Sequence, residues 1–184
     1  MEKSTRGRIL DGALELLGTR GASAFSARAV EDVAGVPHGS VRHHFGDAAG
    51  LRRAMVDRLL ELDLEDAAAR PLATIASWLG EHRARTAARY ELMLMSLGEP
   101  PLGEALVRGR EAATATAAAA IGIPAERAAG LVAAVDGLVL DTMLRGRREV
   151  DPAAFRVLAA GFLGEDVAAA LARGAPGPAD PPRG

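Results

Sequence analysis

Residues 35–45, GVPHGSVRHHF, crowd two glycines, a proline, an arginine and three of the chain's four histidines into eleven positions. A metal site, a proton-handling cluster and a surface that meets a polyanion could each use that mixture. His43 and His44 are adjacent and should point apart on a helix. The chain has no H-E-x-x-H spacing and no cysteine, so nothing completes a zinc site. Catalysis is served no better: G-x-S-x-G, G-x-G-x-x-G and P-loop patterns are missing, the sole lysine is Lys3, and no carboxylate pair sits beside a base at helical spacing. No catalytic residue, metal or cofactor is therefore expected.

A contact surface fits the spacing better. At about 3.6 residues per turn, Val41, His44 and Phe45 share one face, while Gly39 and His43 lie opposite, flanked by His38, Ser40 and Arg42. A glycine without a Cβ lets backbone approach a phosphate. Arg42 suits a phosphate or a guanine edge, and His43 suits a base edge or a phosphate. On periodicity alone, an ordinary solvated face stays open for Arg42 and His43. His44, on the inward face, is expected as a packed core histidine.

The elements that must carry this surface are helices. Aromatic residues make up 3% of the chain, alternating β-branched runs are missing, and good helix formers dominate. A first helix from Thr5 to Gly18 carries Ile9, Leu10, Ala13, Leu16 and Leu17 in one stripe. Ser26 is an N-cap for a short helix to Ala34 with Val30 and Val33 inward, and Gly35 ends it. A third runs from Pro37 to Phe45, and Asp47 caps a fourth reaching Arg70. Segments 72–88 and 89–98 read as helical, followed by helices to Ile121, from Ala125 to Arg147, and from Asp151-Pro152 to Arg173. The fold class is thus all-α with about nine helices: a helix-turn-helix unit over residues 1–60, a second helical domain over 61–173 and a disordered tail from Gly174 to Gly184.

Composition bounds what such a protein meets. The 184 residues are 49% hydrophobic and 25% charged, enough to bury a core. Net charge is -2, but residues 1–60 hold nine Lys and Arg against seven acids, leaving 13 against 17 beyond them. The asymmetry is modest, and solvated helix faces would explain it equally well. No apolar run is long enough to span a bilayer, so a soluble, cytoplasmic protein without a membrane partner is expected.

FSARAVEDVAGVPHGSVRHHFGDAAGLRRAMV, from Phe25, resembles the DNA-binding signature of the tetracycline-repressor-like (TetR) family. Ala34-Gly35-Val36, Gly39-Ser40-Val41, His44-Phe45 and Leu51 match its A-G-V, Gly-Thr-hydrophobic, His-Phe and Leu positions in register over roughly residues 5–60. The resemblance implies a homodimeric regulator that meets operator DNA through Ser26, Arg28, His38, Gly39, Ser40, Arg42 and His43. Several positions depart from the pattern. His38 stands for the usual lysine, Arg42 for a phosphate-contacting tyrosine, Ala48 for a lysine and Pro37 for a serine. Arg52, Arg53 or the arm with Lys3 and Arg6 are candidates to replace what Ala48 lacks.

Weaker resemblance covers RYELML from Arg89 and AAVDGLVLDTMLRG from Ala133. It implies a small-molecule effector, for which Trp78, His82, Tyr90, Met93 and Met143 are candidate contacts; core packing is the plain alternative. The helix from Ala125 is apolar nearly all round. Leu131, Val135, Leu138 and Thr142, with Phe155, Leu158 and Phe162 of the last helix, are the expected dimer seam, with a monomeric core as the alternative. Together these imply a repressor released by a small apolar or amphipathic effector; the rival is a small-molecule-binding helical module without specific DNA binding.

Overall fold

The computed structural model describes residues 4–66 and 71–164. Among them are nine α-helices, one 3-10 turn and no strand. The helices are α1 (Thr5–Arg20), α2 (Ala27–Ala34), α3 (Ser40–Phe45), α4 (Ala48–Asp66), α5 (Pro71–Leu79), α6 (Arg83–Ser96), α7 (Pro100–Ile121), α8 (Ala125–Leu144) and α9 (Pro152–Leu163). Any continuation of the last helix toward Arg173, and the tail from Gly174, lie outside the described residues.

Short polar side chains start the helices. Ser4 Oγ accepts from the Gly7 amide at 3.1 Å, Ser26 Oγ from Ala29 at 3.2 Å, Asp47 Oδ1 from Gly50 at 2.7 Å and Asp151 Oδ1 from Ala153 at 2.9 Å. Gly35, left-handed at φ 61°, closes α2. The segment expected to be helical over 72–88 is broken instead by a turn at Gly80, Glu81 and His82. His82 therefore precedes α6 rather than following Trp78 on one helix.

The chain divides into two compact units, Met1–Asp63 with His82–Arg110, and Leu64–Glu81 with Glu111–Gly184. In the first, α1 packs against both α2 and α6. Leu14 is buried beside the expected stripe of Ile9, Leu10, Ala13, Leu16 and Leu17, and all six share one core with Val30, Val41, Leu51, Met55, Leu92 and Leu102. Ion pairs fasten the rims: Arg58 Nε to Asp11 at 3.1 Å, Arg52 to Glu99 at 2.7 Å, and the buried Arg89 to Asp63. Removing one partner of the last would strand a charge away from water.

In the second unit α8 packs against α9 and α5. Ile75, Leu79, Leu131, Val139, Thr142, Phe155 and Ala159 are buried. A Cβ on Gly130 would stand 2.5 Å from a ring carbon of Phe162, so the glycine makes room for that ring. Among the described residues no single helix is long and apolar enough to cross a membrane.

Candidate nucleic-acid interface

Helix α3 begins one turn later than the sequence implies. Pro37, His38 and Gly39 form a turn, and Gly39, at φ 92°, occupies the N-cap. Only glycine takes that conformation without strain. Val41 is buried and Phe45 half-buried against the core, with the Arg6 guanidinium 5.3 Å from its ring centroid. His38, Gly39, Arg42 and His43 are exposed and Ser40 is half-buried.

Two inward assignments need correction. His44 is exposed, its ring edge-on to His43 at 4.9 Å, so the two histidines do not point apart. With the inward direction set midway between Val41 and Phe45, His44 falls roughly 80° off axis at about 100° per residue, outside the narrow strip that six residues bury. Val33 is likewise 41% exposed. The residue of α2 turned inward beside Val30 is Glu31, only 4% exposed.

Glu31 explains the local architecture. Its Oε1 accepts from the amides of Gly39 and Val41, each at 2.9 Å, filling the role that no N-cap side chain performs for α3. At the C-terminus of α2, Arg8 Nη2 donates to the carbonyls of Ala34 at 3.0 Å and Gly35 at 2.6 Å. Sequence reading missed both residues. An acid next to Val30 on the side of α2 that leads to Ala34 was the available signal for Glu31; Arg8 left none.

These bonds sort the candidate contacts. The Gly39 amide is given to Glu31 within the chain. The Ser40 hydroxyl donates to the Pro37 carbonyl, and His38 Nε2 pairs with Asp32 Oδ1 at 2.8 Å. Ser26 caps α2. The exposed side chains of Arg28 and Arg42 have no hydrogen bond or ion pair among the described residues, and the His43 ring lies edge-on to that of His44. Of the substitutes considered for Ala48, Arg52 is tied to Glu99 and Arg6 lies over Phe45, while Lys3 is outside the described residues. Arg53 is exposed and uncommitted among them. Arg28, Arg42 and Arg53 are thus exposed, uncommitted guanidinium groups, a donor type that matches phosphate oxygens and base edges.

The effector candidates are divided by unit. Trp78 and Met143 are half-buried in the second, and His82, Tyr90 and Met93 are half-buried in the first. Of the expected dimer seam, Leu131, Thr142 and Phe155 are buried inside the single chain, and Val135, Leu138, Leu158 and Phe162 are half-buried. Thr142 Oγ1 donates to the Leu138 carbonyl of its own helix at 2.7 Å. The outward apolar stripe is on the opposite side of α8, at Ala129, Ala133, Gly137, Leu140 and Leu144, with Ala153, Val157 and Gly161 exposed on α9. Asp141 beside it is exposed and bonded to Arg145 at 2.7 Å, which holds its carboxyl below the usual carboxylate range.

An all-helical chain with a short, outward-facing cationic helix behind a glycine turn is a helix-turn-helix protein with a second helical domain. The comparisons agree. Residues 9–55 match "Bacterial regulatory proteins, tetR family", and residues 62–172 match "Tetracyclin repressor-like, C-terminal domain". The chain belongs to the TetR family and has the fold of its transcriptional regulators. Among solved structures it is similar to the multidrug binding protein EbrR complexed with imidazole, at 28% identity over 97% of this chain and 98% of that one, TM-score 0.66. EbrR complexed with ethidium matches at 29% identity over 85% and 97%, TM-score 0.69. A TetR-family member from Streptomyces coelicolor A3 matches at 28% identity over 85% and 97%, TM-score 0.68. No curated protein matches the chain.

Proposed function

We propose that the protein is a cytoplasmic, ligand-responsive repressor that binds a pseudo-palindromic operator as a homodimer and lets go when a small apolar or amphipathic effector binds. The observation that carries this reading is the outer face of α3, where Arg42 and His43 stand exposed without a polar partner while Glu31 and Val41 hold the helix from behind. The exposed, uncommitted Arg28 and Arg53 serve this reading as phosphate contacts. A dimer presents two copies of α3, and these reach successive major grooves only when about 34 Å apart. An effector that binds better to a dimer with another spacing lowers operator affinity by the same coupling factor. A change of tens-fold corresponds to about 2 kcal/mol. The ethidium and imidazole complexes of the similar EbrR support small aromatic effectors.

The second copy docks on the outward stripe of α8 and α9. Leu140, Leu144 and Val157 supply the apolar area, and Gly137 and Gly161 let backbones approach. A gel shift with duplexes from upstream of the coding sequence tests the whole reading. Wild type should retard a fragment, and ethidium should weaken the shift. Leu140→Asp with Leu144→Asp should sediment as a folded monomer and lose the shift. A dimer that tolerates both aspartates would move the interface elsewhere, and a wild-type protein that shifts nothing would favour the small-molecule-binding module.

A further inference from the structure

We propose that Glu31 is the positioning residue of the α3 surface: from α2 its buried carboxylate substitutes for an N-cap side chain and fixes the pitch at which Arg42 and His43 are presented. The inference rests on the DNA-binding reading above and specifies how its geometry is set. Three observations carry it.

The first is economy of bonding. A six-residue helix has few internal hydrogen bonds, and at its start the N-cap glycine has no side chain to lend. One oxygen of Glu31 takes both the Gly39 and the Val41 amides, so the turn and the first helical residues are tied to the same point on α2. The second is burial. Glu31 is 4% exposed and the bond it accepts from the Val41 amide is buried, so loss of the side chain leaves that amide without its partner. The third is isolation from the remaining core. α3 otherwise reaches the hydrophobic cluster through Val41 and half of Phe45, contacts that resist withdrawal more than they fix rotation. Directional bonds at the N-terminus set the rotation, and Arg42 lies one residue beyond the second of them.

A positioning role separates from a merely stabilising one by what each leaves intact. In Glu31→Ala the Gly39 and Val41 amides should exchange with deuterium about tenfold faster, while Leu51 and Met55 in α4 keep their protection. Affinity for the retarded upstream fragment should fall about tenfold, and affinity for an unrelated duplex should hold, because the exposed cations still meet phosphates. Glu31→Gln, which keeps an oxygen in place, should restore most of both. Unchanged exchange at Gly39 and Val41 overturns the positioning role whatever the DNA result, as do parallel losses on both duplexes or a glutamine as damaging as the alanine. A wild type that prefers no duplex, with the two amides still loosened by Glu31→Ala, overturns the DNA-binding reading and leaves the fixing of α3 intact.

Discussion

Replacing Gly18 by alanine should lower the thermal midpoint by roughly 4–8 °C. In an exposed helix the same change would stabilise by about 1 kcal/mol, since glycine is a poor helix former. Gly18 is not exposed in that sense. It lies where α1 crosses α6, and a Cβ there would fall on the carbonyl oxygen of Ala84 and 2.5 Å from its carbon. Those are backbone atoms of a helix, and no rotamer moves them aside. Overpacking of this kind costs about 1–3 kcal/mol and more when backbone must shift, which outweighs the propensity gain by about 2 kcal/mol. Gly109→Ala is the internal control. Its Cβ would meet only a Val56 methyl at an ordinary 3.8 Å, so that variant should be neutral or slightly more stable. A Gly18→Ala protein that melts at or above wild type in a circular-dichroism scan would contradict the α1–α6 crossing.

Arg42→Ala should weaken operator binding by about 10–100-fold at moderate salt. Arg42 is exposed on α3, without an internal side-chain partner to release, so its truncation should remove the proposed DNA contact and little else. It stands where family members commonly place a tyrosine on phosphate, and its charge suits the same role. Each phosphate lost should flatten the plot of log affinity against log salt by about 0.9, or nearly two for a dimer. Arg42→Lys should recover the slope and most of the affinity if the partner is a phosphate, because an ammonium serves as a point charge but not as a bidentate fork. Fluorescence anisotropy across a salt series reads both quantities. Unchanged slope and affinity in Arg42→Ala would remove it from the interface.

Much of the fold was legible because local chemistry and tertiary structure agree. Ser26, Asp47 and Asp151 cap helices where short acceptors sit before apolar runs, and Gly35 ends α2. The break at Gly80 was hidden because Glu81, His82 and Arg83 carry no strong stop signal. Periodicity alone could not orient α8, because a helix apolar almost all round has no preferred direction until α5 and α9 take one side. It misjudged Val33, His44 and Glu31 because it ranks positions by polarity, and here the polar residue of α2 bonds inward while the apolar one is left outside. Arg52 was offered to DNA on charge alone. Glu99, 47 positions away, is a partner no local pattern reveals.

Selection of bound duplexes from a random pool by the wild-type protein tests the central claim most directly, since it asks what the outer face of α3 reads without presuming a sequence. The expected product is an inverted repeat whose half-site centres lie about 34 Å apart or at a whole-turn multiple, lost from the pool when Arg42→Ala is the bait. Enrichment of no sequence, or of a single asymmetric site bound equally by Arg42→Ala, would contradict it.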